Sequence, residues 1–340
     1  VIFFTSGSEA APKGVPLTHR NLLSNIRDSS SVLALRETDS VFAFLPPFHS
    51  FGLVAATLLP ILTGIRVAHY PNPTEAQRLA KGVARWRATI VAGTPTFLKA
   101  ICRVASPGQL DSIRLAVAGA EKAPDDFFPL VRDVTDRGEA LEGYGITECS
   151  PVVCVCRPGE PCVGVGPPLE HVRVMVVGIE SHEPVSQGET GLLLVRGPNV
   201  FHGYLDPDLP SPFLTVEGEE WYNTGDLGYI EENGSVVISG RLKRFVKVAG
   251  EMVSLPAIEE VLTHRWPADD DAPRLAVTAY EPEGRRPLIA LYTRDESITR
   301  DRANHCLRAA GLGQLMRVDE VVARDDIPLL GTGKIDHAQL

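Results

Sequence analysis

The chain opens with VIFFTSGSEAAPKG, residues 1–14, in which an apolar segment runs into a loop rich in hydroxyl groups and glycine. Hydroxyls, flexible backbone and a positive charge all suit contact with an anion. The residues that provide them are Thr5, Ser6, Gly7, Ser8, Lys13 and Gly14. The loop is not the P-loop of kinases, which needs Gly-x4-Gly-Lys-[Ser/Thr] at a helix start. We predict a loop that binds a polyphosphate, and an ordinary polar loop is the alternative.

The apolar segment at residues 1–4 predicts a buried strand of a parallel sheet. Such a strand needs a partner, and no upstream segment is present to provide one. We therefore expect an N-terminally incomplete piece of a longer protein. A chain of 340 residues predicts about two domains, at ~150 residues each.

Composition and charge narrow the class of protein. A hydrophobic content of 44% with 22% charged residues is typical of a soluble globular chain. The net charge of −10 argues against nucleic acid or anionic lipid as a non-specific partner. The longest apolar run, residues 52–65, is too short to span a membrane. We expect a cytoplasmic location, with membrane association only through upstream regions at the inner face of the cell membrane.

Four of the six cysteines fall close together and raise the question of a metal site. They are Cys149, Cys154, Cys156 and Cys162. None forms a CxxC pair, and no histidine within the group has zinc-finger spacing, which argues against metal binding. We expect reduced, structural thiols.

The hydrophobic pattern predicts regions that differ in secondary structure. Strands over 41–45, 65–70, 89–92 and 113–118 alternate with helices over 18–30, 53–62, 73–86 and 95–104, the pattern of a parallel α/β lobe. Thr18 is the expected N-cap of the first helix. After about residue 164 the segments become shorter and β-rich, with a hairpin around Asn233-Gly234. From residue 241 a helix at 255–264 and further strands predict a small α+β domain.

The segment EGYGITE, residues 142–148, carries an aromatic ring between glycines, a hydroxyl and a carboxylate. Tyr144 can cover a purine, Thr147 can donate to a phosphate, and Glu148 can bind a magnesium ion. The alternative is a strand end whose glutamate is solvated.

Two later segments carry charge next to glycine. In WYNTGDLG, residues 221–228, Asp226 can accept hydrogen bonds from ribose hydroxyls, with Arg241 as the second half of a ribose clamp. In PLLGTGKID, residues 328–336, Lys334 can act as a mobile cation that stabilises developing phosphate charge. A surface pair and a solvated lysine are the respective alternatives.

The segment LPPFHSFG, residues 45–52, places His49 among aromatic side chains. His49 is expected either to line a substrate tunnel or to be a core histidine.

In this order the clusters resemble those of the adenylate-forming superfamily: acyl-CoA synthetases, acyl-carrier-protein synthetases, luciferases and the adenylation domains of peptide synthetases. The resemblance extends from Phe3 to Asp336. It implies an α/β fold with a large multi-lobed domain over 1–240, divided into a parallel-sheet lobe at 1–164 and a β-rich lobe at 165–240. A small mobile α+β domain at 241–340 would follow, with its hinge at 241–243.

The resemblance also implies residue roles. ATP phosphates would contact the opening loop through Thr5, Ser6, Gly7, Ser8 and Lys13. The adenine and ribose would contact Gly119, Ala120, Glu121, Gly143, Tyr144, Asp226 and Arg241. Thr147 would meet the α-phosphate, Glu148 would bind Mg²⁺, and Lys334 would be the catalytic lysine of adenylation. Lys243 corresponds to the hinge, and Lys247 faces the site in the thioester-forming conformation.

Two segments look most like the bacterial acyl-carrier-protein synthetase that is joined to 2-acylglycerophosphoethanolamine acyltransferase. One is Ser8-Glu9-Ala10, where the superfamily usually has Thr-Thr-Gly, and the other is GRLKRFVKVAGEMVSL at residues 240–255. This likeness implies an acyltransferase domain upstream.

The implied reaction joins a fatty acid to AMP at the expense of ATP and then passes the acyl group to a phosphopantetheine thiol of acyl carrier protein or CoA. Residues 48–51 contain no aspartate to pair with an amino group, which favours an apolar acid. The alternatives are an amino-acid- or aryl-acid-activating domain and, given Glu9 and Ala10, an inactive nucleotide-binding homologue.

Overall fold

The computed structural model describes residues 1–5, 12–248, 251–268, 272–282, 286–329, 335–337 and 339–340. Its described residues form two compact units, one over 1–5 and 12–239 and the other from residue 240 onward. Separate clusters of buried apolar side chains support each unit.

The first strand, β1 (Ile2–Thr5), pairs antiparallel with β2 (Lys13–Pro16). The prediction of a buried parallel strand is therefore wrong. Phe3 packs in the core, whereas Ile2 is 50% and Phe4 is 68% exposed. Successive side chains of a strand point to opposite faces, so an apolar run alone reports neither burial nor strand direction.

The first unit contains a six-stranded sheet in the order β4-β3-β5-β6-β7-β8, in which only the β7–β8 pair is antiparallel. Its strands are β3 (Ser40–Ala43), β4 (Arg66–His69), β5 (Ile90–Gly93), β6 (Leu115–Ala118), β7 (Glu139–Gly145) and β8 (Val152–Val155). Its helices are α1 (His19–Val32), α2 (Ser50–Leu53), α3 (Leu59–Thr63), α4 (Ala76–Trp86), α5 (Pro95–Val104) and α6 (Phe127–Val134).

Both faces of this sheet are packed. Val41 and Ala43 of β3 belong to one apolar cluster, and Phe42 on the same strand belongs to another. A parallel sheet covered on both faces explains why β3, β5 and β6 are buried along their whole length. The predicted N-cap is confirmed, because the Thr18 side chain accepts a hydrogen bond from the Asn21 backbone N–H.

A second, antiparallel sheet of the first unit has the order β11-β12-β10-β9, and β13 pairs with β12. The strands are β9 (Arg173–Val177), β10 (Gly191–Arg196), β11 (Phe213–Val216), β12 (Glu219–Ile230) and β13 (Val236–Arg241). The predicted hairpin turn is confirmed: Gly234 has a φ of 83°, a conformation that favours glycine.

The second unit is α+β. Its elements are β14 (Phe245–Val248), β15 (Glu251–Ser254), α7 (Leu255–Arg265), β16 (Leu275–Tyr280), β17 (Leu288–Thr293), α8 (Arg300–Ala309) and β18 (Glu320–Ala323). β14 pairs with β15, and β16, β17 and β18 form a mixed sheet. Ile258 and Leu262 of α7 pack with Leu291 in its core.

Cys156 and Cys162 form a disulfide, so the expectation of reduced thiols is wrong for this pair. The chain after β8 turns back and brings their Cα atoms to 5.2 Å, within the range that a disulfide bridges. Sequence spacing does not report such a turn. Cys149 and Cys154 are free and buried. Among the described helices, none combines the length and the apolar character that a membrane span requires.

Candidate active site

The predicted site residues of the first unit gather at the carboxyl edge of the parallel sheet. Residues 119–121 follow β6 directly, and Gly143 and Tyr144 form the end of β7. β6 and β7 are parallel neighbours, so their carboxyl ends meet at one edge. Ligands of open α/β sheets bind in the crevice outside this edge.

Gly119 lies at a point of this edge where little space is left for a side chain. A Cβ on Gly119 would lie 3.2 Å from the Phe51 ring and 3.6 Å from the carbonyl oxygen of Gly143. A side chain there would press on the Phe51 ring, whereas its contact with the Gly143 carbonyl would be an ordinary one. Ala120 follows with a φ of 68°, a left-handed conformation that is strained for a residue with a Cβ.

Two carboxylates fix the loop after β6. Glu121 Oε2 accepts a 2.8 Å hydrogen bond from the Thr96 hydroxyl. Glu142 Oε1 accepts a 2.9 Å hydrogen bond from the backbone N–H of Ala123. Burial raises the pKa of Glu142, although this hydrogen bond opposes the shift. Glu142 therefore attaches the end of β7 to the loop after β6.

Tyr144 and Asp226 connect the two sheets of the first unit. The Tyr144 hydroxyl donates a 2.5 Å hydrogen bond to Asp226 Oδ2. Asp226 is 3% exposed, and its backbone N–H donates to the Thr224 hydroxyl, which in turn donates to the carbonyl of Leu193. Burial and the adjacent Asp226 charge raise the pKa of Tyr144. The tyrosine is thus a neutral donor that orients a buried carboxylate.

A tight loop holds Thr147 and Glu148. Residues Thr147–Cys149 form one turn of 3-10 helix after β7. The Thr147 hydroxyl lies 3.1 Å from the Ser50 hydroxyl, and the Glu148 carbonyl accepts a hydrogen bond from the Phe201 N–H. Asn199 donates a 2.9 Å hydrogen bond to the Cys149 carbonyl. The loop is therefore attached to segments distant in sequence.

Tyr204 links Glu148 to Lys13. Its hydroxyl donates to Glu148 Oε1 at 3.1 Å, and Lys13 Nζ lies 4.7 Å from the centre of its ring. Burial and then the charge of Glu148 raise the pKa of both Tyr204 and Tyr222. Sequence reasoning missed Tyr204, because a tyrosine in FHGYLDP, residues 201–207, carries no motif signal.

Glu148 fits the predicted magnesium ligand. The side chain is 9% exposed, and it forms no ion pair with any residue that the structure describes. A carboxylate with no lysine or arginine partner among the described residues, in the residue after the hydroxyl-bearing Thr147, offers the hard oxygen donor that Mg²⁺ prefers.

The remaining predicted residues divide into three groups. Thr5 pairs with Lys13 in the β1–β2 register. Arg241 ends β13, Lys243 lies in a short turn and Lys247 lies on β14, all within the second unit. Ser6, Gly7, Ser8 and Lys334 lie outside the described residues. The roles assigned to all of these residues stay predictions.

His49 is exposed, so the alternative of a core histidine is wrong. Its ring lies 4.6 Å from that of Phe48, and the residue precedes α2. This position follows β3 at the same carboxyl edge, next to Ser50 and its contact with Thr147. The predicted role in an acyl pocket stays a prediction.

The carboxyl edge of the parallel sheet, with these polar side chains around it, is the candidate site of the first unit. The chain belongs to the family described as AMP-binding enzyme, which it matches over residues 1–205. The predicted membership of the adenylate-forming superfamily and the predicted α/β fold are thereby confirmed.

Proteins similar to this chain are named for different acids. A 4-coumarate–CoA ligase of Oryza sativa subsp. japonica is 29% identical over 76% of this chain and 47% of its own length. A long-chain-fatty-acid–CoA ligase of Yersinia pestis is 29% identical over 99% of this chain and 60% of its own. ATP-bound MatB of Rhodopseudomonas palustris superposes with a TM-score of 0.84 at 26% identity, over 98% of this chain and 66% of that one. The chain thus spans about half to three fifths of the two ligases.

Proposed function

We propose that the protein containing this chain activates an apolar carboxylic acid with ATP and transfers the acyl group to a phosphopantetheine thiol. The product of the first half-reaction is an acyl adenylate with pyrophosphate, and the products of the second are a thioester and AMP. Family membership supports the chemistry.

One structural observation carries the proposal. Tyr204 contacts both Glu148 and Lys13, and therefore brings a carboxylate and an ammonium group to one aromatic side chain, the carboxylate lying in the loop that also carries Thr147. A cation, a hydroxyl and an acid suited to a divalent metal ion are the groups that a polyphosphate requires. The fixed Asp226 carboxylate, on the adjacent sheet, suits a ribose.

In the first step a carboxylate oxygen of the acid attacks the α-phosphorus, and the bond to the β-phosphate oxygen breaks. Lys13 neutralises charge on the leaving pyrophosphate, and the Thr147 hydroxyl donates to the α-phosphate. Tyr144 holds Asp226 as an acceptor for the ribose hydroxyls. Lys334 is proposed to supply a further positive charge to the acid and the α-phosphate.

Glu148 is the residue proposed to hold Mg²⁺, with Thr147 beside it. When bound, Mg²⁺ supplies Lewis-acid neutralisation of phosphate charge. The chain's own contribution is to hold the Glu148 carboxylate through the Tyr204 hydroxyl and the Glu148 backbone carbonyl through the Phe201 N–H.

In the second step a thiol sulfur attacks the acyl carbonyl, and AMP leaves with the phosphate oxygen. We propose that the small domain, residues 241–340, turns about Lys243, so that Lys334 leaves and Lys247 enters. Acyl carrier protein and CoA both offer the required thiol.

A fatty acid is the proposed substrate. The segment at residues 48–51 has no acidic side chain for an amino group, and Phe48 is exposed next to His49. One relative is a long-chain-fatty-acid–CoA ligase, which supports the same choice.

The test is acid-dependent exchange of pyrophosphate into ATP by the full-length protein. We expect exchange with a long-chain fatty acid, its loss in Lys334→Ala, and retained ATP binding in that variant. Lys81→Ala, which removes an exposed helical lysine, is the matched control and should behave as wild type.

Other outcomes distinguish the alternatives. Exchange with an amino acid or 4-coumarate alone would reassign the substrate class. ATP binding without exchange for any acid would identify a nucleotide-binding homologue, and full exchange by Lys334→Ala would overturn the role of this lysine.

A further inference from the structure

A cavity lies at the amino-terminal edge of the parallel sheet, opposite the edge that carries the candidate active site. It has a volume of about 360 Å³ and is lined by Thr38, Arg66, Arg85, Trp86, Arg87, Thr89 and Ser112. Arg66 begins β4, and Thr38, Thr89 and Ser112 precede β3, β5 and β6. The cavity is therefore separated from the candidate active site by the length of the strands.

The walls of this cavity are strongly basic. Arg66, Arg85 and Arg87 form no ion pair with any residue in the described part of the chain. This local positive charge contrasts with the net charge of −10 of the whole chain. Asp39 contacts the wall through Thr89, but it is already paired with Arg114 at 2.7 Å. Three arginines thus line one cavity, and a guanidinium group is a fork-shaped donor that here has no ion-pair partner among the described carboxylates.

Arg87 reaches its place through an unusual backbone. It ends α4 with a φ of 48°, in the left-handed region that non-glycine residues seldom adopt. This conformation turns the chain so that three consecutive residues, Arg85 to Arg87, all line the cavity.

The aromatic wall is Trp86, which is 55% exposed. The other two tryptophans, Trp221 and Trp266, are buried at 2% and 6% exposure. An exposed indole beside guanidinium groups offers a flat surface on which a planar ring can stack.

The hydroxyl groups add acceptors. The Ser112 hydroxyl donates to the Ala88 carbonyl at 2.9 Å, and the Thr89 hydroxyl donates to Asp39 at 2.7 Å. Both protons are committed, and the Thr89 oxygen also accepts a 3.0 Å hydrogen bond from the Ser40 N–H, so each hydroxyl has a lone pair but no proton left for a ligand. A ligand with hydroxyl or amino donors in addition to its negative charge matches this wall.

We propose that this cavity binds a small phosphorylated molecule that carries a planar ring, such as a mononucleotide. The phosphate binds the guanidinium groups of Arg66, Arg85 and Arg87, and the ring stacks on Trp86. The volume is at the lower end of small-molecule sites, ~300–1,000 Å³. This site is separate from the proposed adenylation site and does not depend on it.

The test uses the fluorescence of Trp86, which is the exposed tryptophan. The full-length protein is titrated with AMP, with adenosine and with inorganic phosphate, in parallel with Trp86→Phe. A double variant, Arg66→Gln/Arg85→Gln, removes two charges from the cavity. Arg103→Gln/Arg132→Gln removes two charges from exposed positions at the ends of α5 and α6 and is the matched control.

We expect AMP to change the wild-type fluorescence at lower concentration than phosphate, and adenosine to bind weakest. The cavity variant should need at least ~10-fold more AMP, since each lost charged contact weakens binding substantially, and the control variant should match wild type. An equal signal in Trp86→Phe, equal binding of adenosine and AMP, or unchanged binding by the cavity variant would overturn the proposal. Fatty-acid-dependent exchange measured on the same variants tests the proposed function separately.

Discussion

The Tyr144 hydroxyl donates a 2.5 Å hydrogen bond to Oδ2 of Asp226, which lies 82 residues further along the chain. The bond joins the end of a parallel strand to an antiparallel sheet. Asp226 is almost fully buried, and a buried carboxylate depends on such donors. The Tyr144–Asp226 hydrogen bond therefore has two effects. It stabilises a buried carboxylate, and it orients a candidate acceptor for ribose.

Tyr144→Phe should reduce both stability and nucleotide binding. The free energy of unfolding should fall by about 1.5–3 kcal/mol, the range for hydrogen bonds to charged groups. Urea denaturation measures this change, and equilibrium binding measures the weaker affinity for ATP. Tyr229→Phe, on β12, is the control, because its hydroxyl makes no hydrogen bond to the described residues. Equal effects of the two substitutions would contradict the role of the Tyr144–Asp226 bond.

Glu148→Gln should impair catalysis while leaving the fold intact. The glutamine oxygen still accepts from Tyr204, but the negative charge proposed to hold Mg²⁺ is lost. Exchange should fall on the order of 10²-fold, and the Mg²⁺ concentration for half-maximal rate should rise. Glu160→Gln, at an exposed position, should leave both values unchanged. A normal Mg²⁺ dependence in Glu148→Gln would remove Glu148 from the metal site.

Gly145→Ala should destabilise the loop that carries Thr147 and Glu148. A Cβ at this position would lie 2.4 Å from the carbonyl oxygen of Pro151, so the backbone must move. Overpacking of this kind costs about 1–3 kcal/mol. Thermal unfolding measures the loss, and Gly313→Ala is the control because its Cβ would meet nothing within 4 Å. If both variants unfold at the same temperature, the close contact does not constrain this loop.

Glu142→Gln should change how stability depends on pH. Burial raises the folded-state pKa of Glu142 above its ordinary value of 4.5. The protonated form is therefore favoured by folding, and its contribution is complete below pH 4.5 and lost as pH rises through the folded pKa. Glutamine keeps an acceptor for the Ala123 N–H and does not ionise.

The melting temperature of Glu142→Gln relative to wild type should accordingly increase from pH 4 to pH 8. Glu139→Gln, an exposed position on the same strand, provides the comparison. A difference between Glu142→Gln and wild type that stays constant with pH would show that ionisation of Glu142 does not affect stability.

Local patterns predicted most elements well. The helix at Pro95–Val104 begins and ends where the hydrophobic pattern places it, and the strand Ile90–Gly93 lies within one residue of its predicted range, 89–92. Their signals are local, because a proline start or an alternating run depends on neighbouring residues. The pairing of β1 was not predictable in this way, since strand direction depends on a partner elsewhere in the chain.

Residue types and their order along the chain were sufficient to indicate the adenylate-forming family, and they named Tyr144, Thr147, Glu148 and Asp226 as candidate site residues. The chemistry of such a site depends on side-chain identity, which the sequence gives directly. Only the tertiary structure decided that Tyr204 connects Lys13 to Glu148, that Cys156 bonds to Cys162, and that the arginines of β4 and α4 face one cavity. Each depends on distances between segments that folding brings together, and no local pattern encodes those distances.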